Sequence, residues 1–484
     1  MTNVRKNFSY NALLTLSTYV IMLVTYPYVS RVLGVERIGA VNFVDSAVNY
    51  FLLFAAMGIQ ILGVREIAAC RGNKARLQEV YSSLLTLYGI CTAAMLLVYG
   101  VLVETLPALA GHRELLWVGA GKLLFTTFLV EWLFRGLEEF PYIAWRTLLI
   151  KLLYTASIFI WVRNPGDDVL YFGLTVGSVA ANALVNLCYA RRFVRFSWSK
   201  IRFRPYLKSY FSLGAYHLLT SMYTTFNVLY LEFACGDVQV GYYTTALKVY
   251  TLIMGFYTAY TTVMLPRMSA LLSGGEQEAF EHWIRQSVRT LLTICFPLMA
   301  LGIAGAPCWI AILAGPGYEG AVVPMQIILS LLFVVGMAQI LSVQVLMPQK
   351  RDKDVLWASL IGCVLGIVLN VCWVGSWGAL GSACVLVVAE TAVTLFYAWR
   401  VRKLGLVSFR SEGGFLLRQL LCALPYALVA GLLMCFTDRV WLVFGLSACF
   451  AVIWFWVSNR WIIKNEQFIH VLDECFDFRG NDHL

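Results

Sequence analysis

Charge is what this sequence has least of. Asp, Glu, Lys and Arg together make up 13% of its 484 residues, roughly half the share found in soluble globular chains. That excludes a soluble enzyme, and it excludes a disordered regulator, which needs more charge still. Metal and redox chemistry lack their usual spacing, because the thirteen cysteines include no C-x-x-C pair. Most of them, Cys91, Cys188, Cys295, Cys363 and Cys449 included, lie inside apolar runs and read as small buried hydrophobes. A disulfide-stapled secreted module is excluded with them. Neither H-E-x-x-H nor G-x-S-x-G occurs, and Gly121-Lys122 lacks the upstream glycine of a phosphate-binding loop. Asp352-Lys353-Asp354 resembles an acidic metal motif of sugar-nucleotide enzymes, but in a seven-residue basic loop it reads as a solvated turn. Catalysis and nucleotide hydrolysis have no visible home, and neither cofactor nor metal is expected.

What the sequence has in excess is apolar surface. The hydrophobic fraction is 60%, more than a soluble core can hide, so lipid is the solvent for much of the chain. A membrane helix needs about 20 mainly apolar residues. Fourteen such segments are predicted, near 11–32, 40–63, 81–106, 115–137, 146–163, 170–190, 209–232, 241–265, 288–314, 322–347, 355–374, 379–399, 415–436 and 441–462. The first follows a short basic start (Arg5, Lys6) and reads as an uncleaved signal that stays in the membrane. The fold class is an all-α polytopic membrane protein.

The net charge of +10 invites a nucleic-acid reading until the basic residues are located. With the amino terminus cytoplasmic, 26 of the 37 lysines and arginines fall on inner segments and four, Arg37, Arg113, Arg163 and Arg439, on outer turns. This is the positive-inside pattern, and it places both termini in the cytoplasm. The densest stretch, Arg191 to Lys208, holds seven basic residues and no acid. It reads as a topology anchor against anionic lipids, not a nucleic-acid site.

An internal repeat emerges at an offset of 202 residues. Gly34, Gly39, Arg65, Ala68 and Gly72 map without a gap onto Gly236, Gly241, Arg267, Ala270 and Gly274. The expected organisation is a six-helix lobe over 1–190, a basic linker at 191–208, a second six-helix lobe over 209–399, and two appended helices with a tail over 400–484. Parallel lobes of this kind enclose a substrate path that opens alternately to the two sides.

Polar residues at membrane depth need a partner or a water-filled cavity. Asn11, Thr15, Thr18 and Thr25 share a face of the first helix; Asn42, Asp45 and Asn49 share one of the second. Thr220, Thr224 and Asn227, then Thr244, Lys248 and Thr251, are their second-half counterparts. For the threonines, interhelical hydrogen bonds that glue the bundle are favoured over a cavity. Asp45 and Lys248, one residue apart in the repeat register, favour the cavity. Glu131 and Arg135 are four apart and can pair, while Lys122 and Lys151 are hard to leave facing lipid. His217 reads as a buried neutral residue, and Glu390 as structural. Asp45 and Glu131 are the candidate coupling carboxylates, since a buried acid can titrate near neutral pH.

The chain also resembles a known family. The run Pro27-Tyr28-Val29-Ser30-Arg31-Val32-Leu33-Gly34-Val35-Glu36-Arg37-Ile38-Gly39 opens the match, followed by Asn42-Phe43, Tyr50-Phe51 and Arg65-Glu66-Ile67-Ala68. Glu131-Trp132-Leu133-Phe134-Arg135-Gly136-Leu137-Glu138-Glu139-Phe140, Pro266-Arg267, Gly317-Tyr318-Glu319-Gly320-Ala321 and Pro348 continue it to about residue 400. These motifs resemble the Wzx-type oligosaccharide-lipid flippases of the multidrug/oligosaccharidyl-lipid/polysaccharide exporter superfamily. The resemblance implies the fold of that superfamily, a bacterial cytoplasmic-membrane location and a non-enzymatic role. It implies that an oligosaccharide on undecaprenyl diphosphate is moved to the outer leaflet for O-antigen, capsule or exopolysaccharide synthesis. A polysaccharide polymerase and chain-length machinery are the implied partners of a monomeric carrier. A cationic cavity suits a diphosphate, and its expected lining is Arg31, Asn42, Asp45, Asn49, Lys122, Lys151, Asn227 and Lys248. The peptidoglycan-precursor flippase and the multidrug or organic-cation antiporter of the same superfamily are the alternatives.

Overall fold

The computed structural model describes residues 2–407, 412–437 and 439–463, with side chains from residue 14 onward except at 213, 215–217, 219–224 and 256. Asn11, His217, Thr220 and Thr224 lie outside the described side chains. Among the described residues the chain is helical throughout, without strands. The principal helices are α1 (Thr2–Ala56), α2 (Ile59–Ala69), α3 (Lys74–Thr105), α4 (Arg113–Thr127), α5 (Glu131–Leu137), α6 (Phe140–Trp161), α7 (Asp168–Ala190), α8 (Arg204–Cys235) and α9 (Asp237–Ser273). There follow α10 (Gln277–Ala304), α11 (Ala306–Leu313), α12 (Val322–Ile328), α13 (Leu331–Gln339), α14 (Asp352–Leu369), α15 (Gly375–Lys403), α16 (Gly413–Phe436) and α17 (Val440–Val457).

Ten helical runs among the described residues are long and apolar enough to cross a membrane. Two of them, Leu14–Ala56 with 43 residues and Asp352–Lys403 with 52, would be about 65 and 78 Å long at 1.5 Å per residue. Each is more than twice the roughly 30 Å hydrocarbon core, and each is broken once by a glycine with positive φ, Gly34 and Gly378. Each therefore supplies two crossings. With α8 and α9, 32 and 37 residues long, the fourteen expected spans are present.

The chain packs as two compact units: Met1–Thr245 with Leu313–Gly320 and Ser359–Leu386, and Ala246–Ile312 with Ala321–Ala358 and Val387–Leu484. In the first unit the second predicted span does not run unbroken to residue 63. It stops at Met57, a non-glycine residue at φ 39°, and restarts as α2. A broken helix strands backbone groups, which lipid cannot satisfy. Tyr210 of α8 repairs the break, its hydroxyl donating to the Ala55 carbonyl at 2.5 Å and its carbonyl accepting from the Gly58 amide at 3.2 Å. The fourth span is broken likewise, at Val130 (φ 40°), which separates Thr127 from the Glu131 helix. There α5 lies tightly on α2: a Cβ on Gly136 would come 2.6 Å from Ile67, and one on Gly63 would come 2.8 Å from buried Trp132. Arg71 adds a 2.7 Å bond to the Gly136 carbonyl. The 65–68 and 131–140 motifs are thus two sides of one packing joint.

The second unit is held by charge as well as by apolar packing. Arg289 grips Glu412 through Nε and Nη2 at 2.7 and 3.2 Å. Arg400 pairs with Asp354 at 2.7 Å, so Asp354, 6% exposed, is no solvated turn residue; the helix α14 carries it inward to an arginine. Tyr210→Phe should strand the Ala55 carbonyl and cost about 1–3 kcal/mol. The melting temperature of the purified protein in detergent will fall; an unchanged value would mean that packing alone holds the break.

Candidate transport site

The repeat is a contact in space as well as a pattern. Gly34 and Gly236 adopt the same backbone conformation, φ 77°, ψ 173° and φ 80°, ψ 177°, a left-handed region that side chains rarely enter. Each ends one helix and starts the next. The turns then meet: a Cβ on Gly39 would overlap the carbonyl oxygen of Asp237, and one on Gly241 would overlap that of Val35. Val35 and Asp237 are themselves 202 residues apart, so the contact is reciprocal about a pseudo-two-fold axis. One turn further, Asn42 Nδ2 donates to Thr244 Oγ1 at 3.0 Å, again 202 residues apart. Tyr26 and Thr245 share a buried 2.5 Å hydrogen bond alongside. This seam is the small-residue helix contact expected in lipid.

Past the seam, α1 turns Asn42, Asp45 and Asn49 onto one face. Helix α4 approaches that face because Gly119 has no side chain; a Cβ there would come 2.6 Å from Val48. Lys122, one turn on, therefore reaches across. Its ammonium donates to Asp45 Oδ1 at 2.5 Å and to Asn49 Oδ1 at 2.9 Å, and Asn49 Nδ2 donates to Asp45 Oδ2 at 3.1 Å. The three side chains close a ring. Lys122 is 15% exposed and Asp45 36%, so the carboxylate keeps an open side while the lysine is nearly enclosed.

The remaining expected residues are spread wider. Arg31 gives Nη1 to the Pro27 carbonyl at 2.6 Å and packs its stem against Gly315. Asn227 is fully enclosed, donating to Tyr243 Oη at 2.7 Å and to the Ser382 carbonyl at 3.0 Å. Lys151 meets Thr18 Oγ1 at 2.5 Å. Lys248 is half-buried in the part of α9 that belongs to the second unit. Glu131 accepts from Arg135 at 3.5 Å, the pair anticipated from spacing, but Arg146 is nearer at 2.9 Å. Arg146, the first residue of the predicted 146–163 span, has a side chain only 4% exposed. The apolar stretch at 140–145 just ahead of it is the sequence signal that the helix starts earlier.

Comparison with known proteins sets this geometry in a family. A family model described as "Polysaccharide biosynthesis protein" matches residues 4–272, more than half of the chain. The chain belongs to the polysaccharide biosynthesis protein family. A second model, MatE, matches residues 212–372. The "Putative O-antigen transporter" of Escherichia coli (strain K12) is 23% identical over 406 residues, covering 83% of this chain and 97% of that one. The like-named protein of Shigella dysenteriae is 23% identical over 400 residues, 78% of this chain and 95% of its own. Among solved structures, a lipid II flippase MurJ in an inward closed conformation superposes with a TM-score of 0.78 at 15% identity, covering 96% of this chain and 99% of that one. An inward-facing multidrug resistance MATE transporter reaches 0.63 at 18%, covering 81% and 95%.

This polysaccharide biosynthesis family member is accordingly a multi-pass membrane protein with the fold shared by the MurJ and MATE structures. Its part-buried Asp45–Lys122 ion pair is costly to break from one side, since removal of either partner leaves a charge without its counter-ion. Asp45→Asn and Lys122→Met should each lower stability by about 1–3 kcal/mol, the open side of Asp45 moderating the loss. The exchanged pair Asp45→Lys with Lys122→Asp should recover most of it in a melting experiment. Additive losses in the exchanged pair would show that the two side chains do not interact.

Proposed function

We propose that the protein is a flippase that moves undecaprenyl-diphosphate-linked oligosaccharide from the cytoplasmic to the outer leaflet for surface polysaccharide synthesis. The reading places the protein in a bacterial cytoplasmic membrane with both termini inside. The observation that carries it is the Asp45–Asn49–Lys122 ring, set beside a repeat-related glycine seam in a chain of the polysaccharide biosynthesis family. An ammonium held by a carboxylate is a guarded anion site. While Asp45 is ionised, Lys122 is neutralised and offers little to a diphosphate. Protonation of Asp45 through its open side releases the ammonium, which then pairs with phosphate oxygens. Asp45 thereby becomes the switch that couples proton entry to headgroup binding. Glu131, already facing Arg146 and Arg135, serves stability. The diphosphate-sugar headgroup crosses in a polar path while the polyprenyl tail stays in lipid.

The names of the relatives support a polysaccharide precursor as cargo, and the better superposition on a lipid-precursor flippase than on a drug transporter favours a lipid-borne headgroup. Loss of the gene in its bacterium should make lipid-linked oligosaccharide accumulate facing the cytoplasm and surface polysaccharide disappear. Complementation by Lys122→Met or Lys248→Glu should fail at normal protein levels. Asp45→Asn should abolish the pH dependence of any residual transport. Unchanged surface glycan together with new sensitivity to cationic drugs would replace the flippase reading with an antiporter.

A further inference from the structure

A second polar cluster in the first unit takes no part in the Asp45 ring. His112 closes the short turn Pro107–His112 before α4, Glu232 lies in the last turn of α8, and Asp237 begins α9. His112 Nε2 stands 3.1 Å from Glu232 Oε1 and 3.5 Å from Asp237 Oδ1. One ligand atom from each residue lies within 4.8 Å of the other two. The three side chains are 14%, 11% and 21% exposed.

The donors in this cluster do not meet its acceptors. An imidazole nitrogen has one N–H to give, and Glu232 Oε1 is the nearer taker. Glu232 Oε2 and Asp237 Oδ1 are buried with no hydrogen-bond donor among the described residues. Arg37, the basic residue of the facing turn, is held by Asp168 at 3.3 Å. Two enclosed carboxylates thus share one imidazole. The surroundings keep them in place: the Asp237 backbone abuts Gly39, and the Phe43 ring lies 5.2 Å from His112 and 5.7 Å from Phe233.

We propose that His112, Glu232 and Asp237 form a binding site for a divalent transition-metal cation of the zinc class. One imidazole nitrogen and two carboxylate oxygens suit such an ion, with water completing the shell. Ligands about 2.0–2.1 Å from a tetrahedral zinc lie roughly 3.3 Å from one another. The separations of 3.1 and 3.5 Å match that spacing, so the ion replaces the Nε2 proton with little movement. Because Asp237 is also the residue whose carbonyl meets Gly39, a bound ion ties the α3–α4 turn to the seam. That consequence, though not the binding itself, rests on the proposed function: the ion holds the outer end closed and slows transport.

The test is titration of the full-length, chelator-treated protein in detergent with Zn2+ alone, and with Co2+ to read the ligand type. About one equivalent should bind saturably, and the Co2+ spectrum should lack the thiolate charge-transfer band that the cysteines would give. Asp237→Asn and His112→Gln should each weaken binding at least ten-fold, while a melting scan without metal reports whether each variant is folded. Should a variant not fold, Glu232→Gln gives the same reading. No saturable binding, a thiolate spectrum, or equal affinity in folded variants would overturn the site. Binding is measured without transport, so failure of the flippase reading leaves this result untouched, and the reverse also holds.

Discussion

Two helix turns, 202 residues apart in the chain, touch backbone to backbone, and much of the first unit is arranged around that contact. It exists because Gly39 and Gly241 present no side chain to Asp237 and Val35. It is reciprocal because Gly34 and Gly236 bend their helices through the same angles. In lipid there is no hydrophobic gain from bringing helices together, so close approach of small residues and a few hydrogen bonds supply the attraction. The Asn42–Thr244 and Tyr26–Thr245 bonds extend the contact into the membrane.

The same economy governs the charged residues. Every ionisable side chain at depth needs an answer to its desolvation, and the answers divide by how complete they are. Arg146 is enclosed against Glu131, and Glu412 is enclosed against the more open Arg289; both pairs fasten one segment to another. The Asp45–Asn49–Lys122 ring is enclosed on the lysine side and open on the carboxylate side. In this pair the open member is the carboxylate and the enclosed one the ammonium, with Asn49 bridging the two. The proposed transport cycle uses this arrangement by letting a proton and a diphosphate take turns with the two members of the pair.

Much of this was legible in the sequence, and the exceptions have a common cause. The spans, the repeat and the packing motifs are local or periodic, so composition and spacing reach them. The 202-residue offset placed Asn42 opposite Thr244 in register, and the fold joins those two residues. Lys122 was singled out as a cation at depth, but its partner could not be named. That pairing depends on Gly119 letting α4 settle on Val48, a contact between distant segments. Register in the repeat instead drew Asp45 towards Lys248. The helix breaks at Met57 and Val130 were hidden because continuous apolar runs carry no mark of a left-handed residue, a conformation that costs about 1–3 kcal/mol and persists only when its surroundings enforce it. Tyr210 is what enforces the first of them. Spacing reads Asp354 as a turn residue because Arg400 is too far along the chain to be joined to it.

In the proposed alternating-access cycle the glycine seam parts for cargo to cross. The direct measurement is a cross-link between Asn42→Cys and Thr244→Cys in a background without the native cysteines, scored against delivery of lipid-linked glycan to the outer leaflet. Oxidation should join the two residues readily, stop delivery, and release it again on reduction. Complete cross-linking with delivery unimpaired would contradict the account.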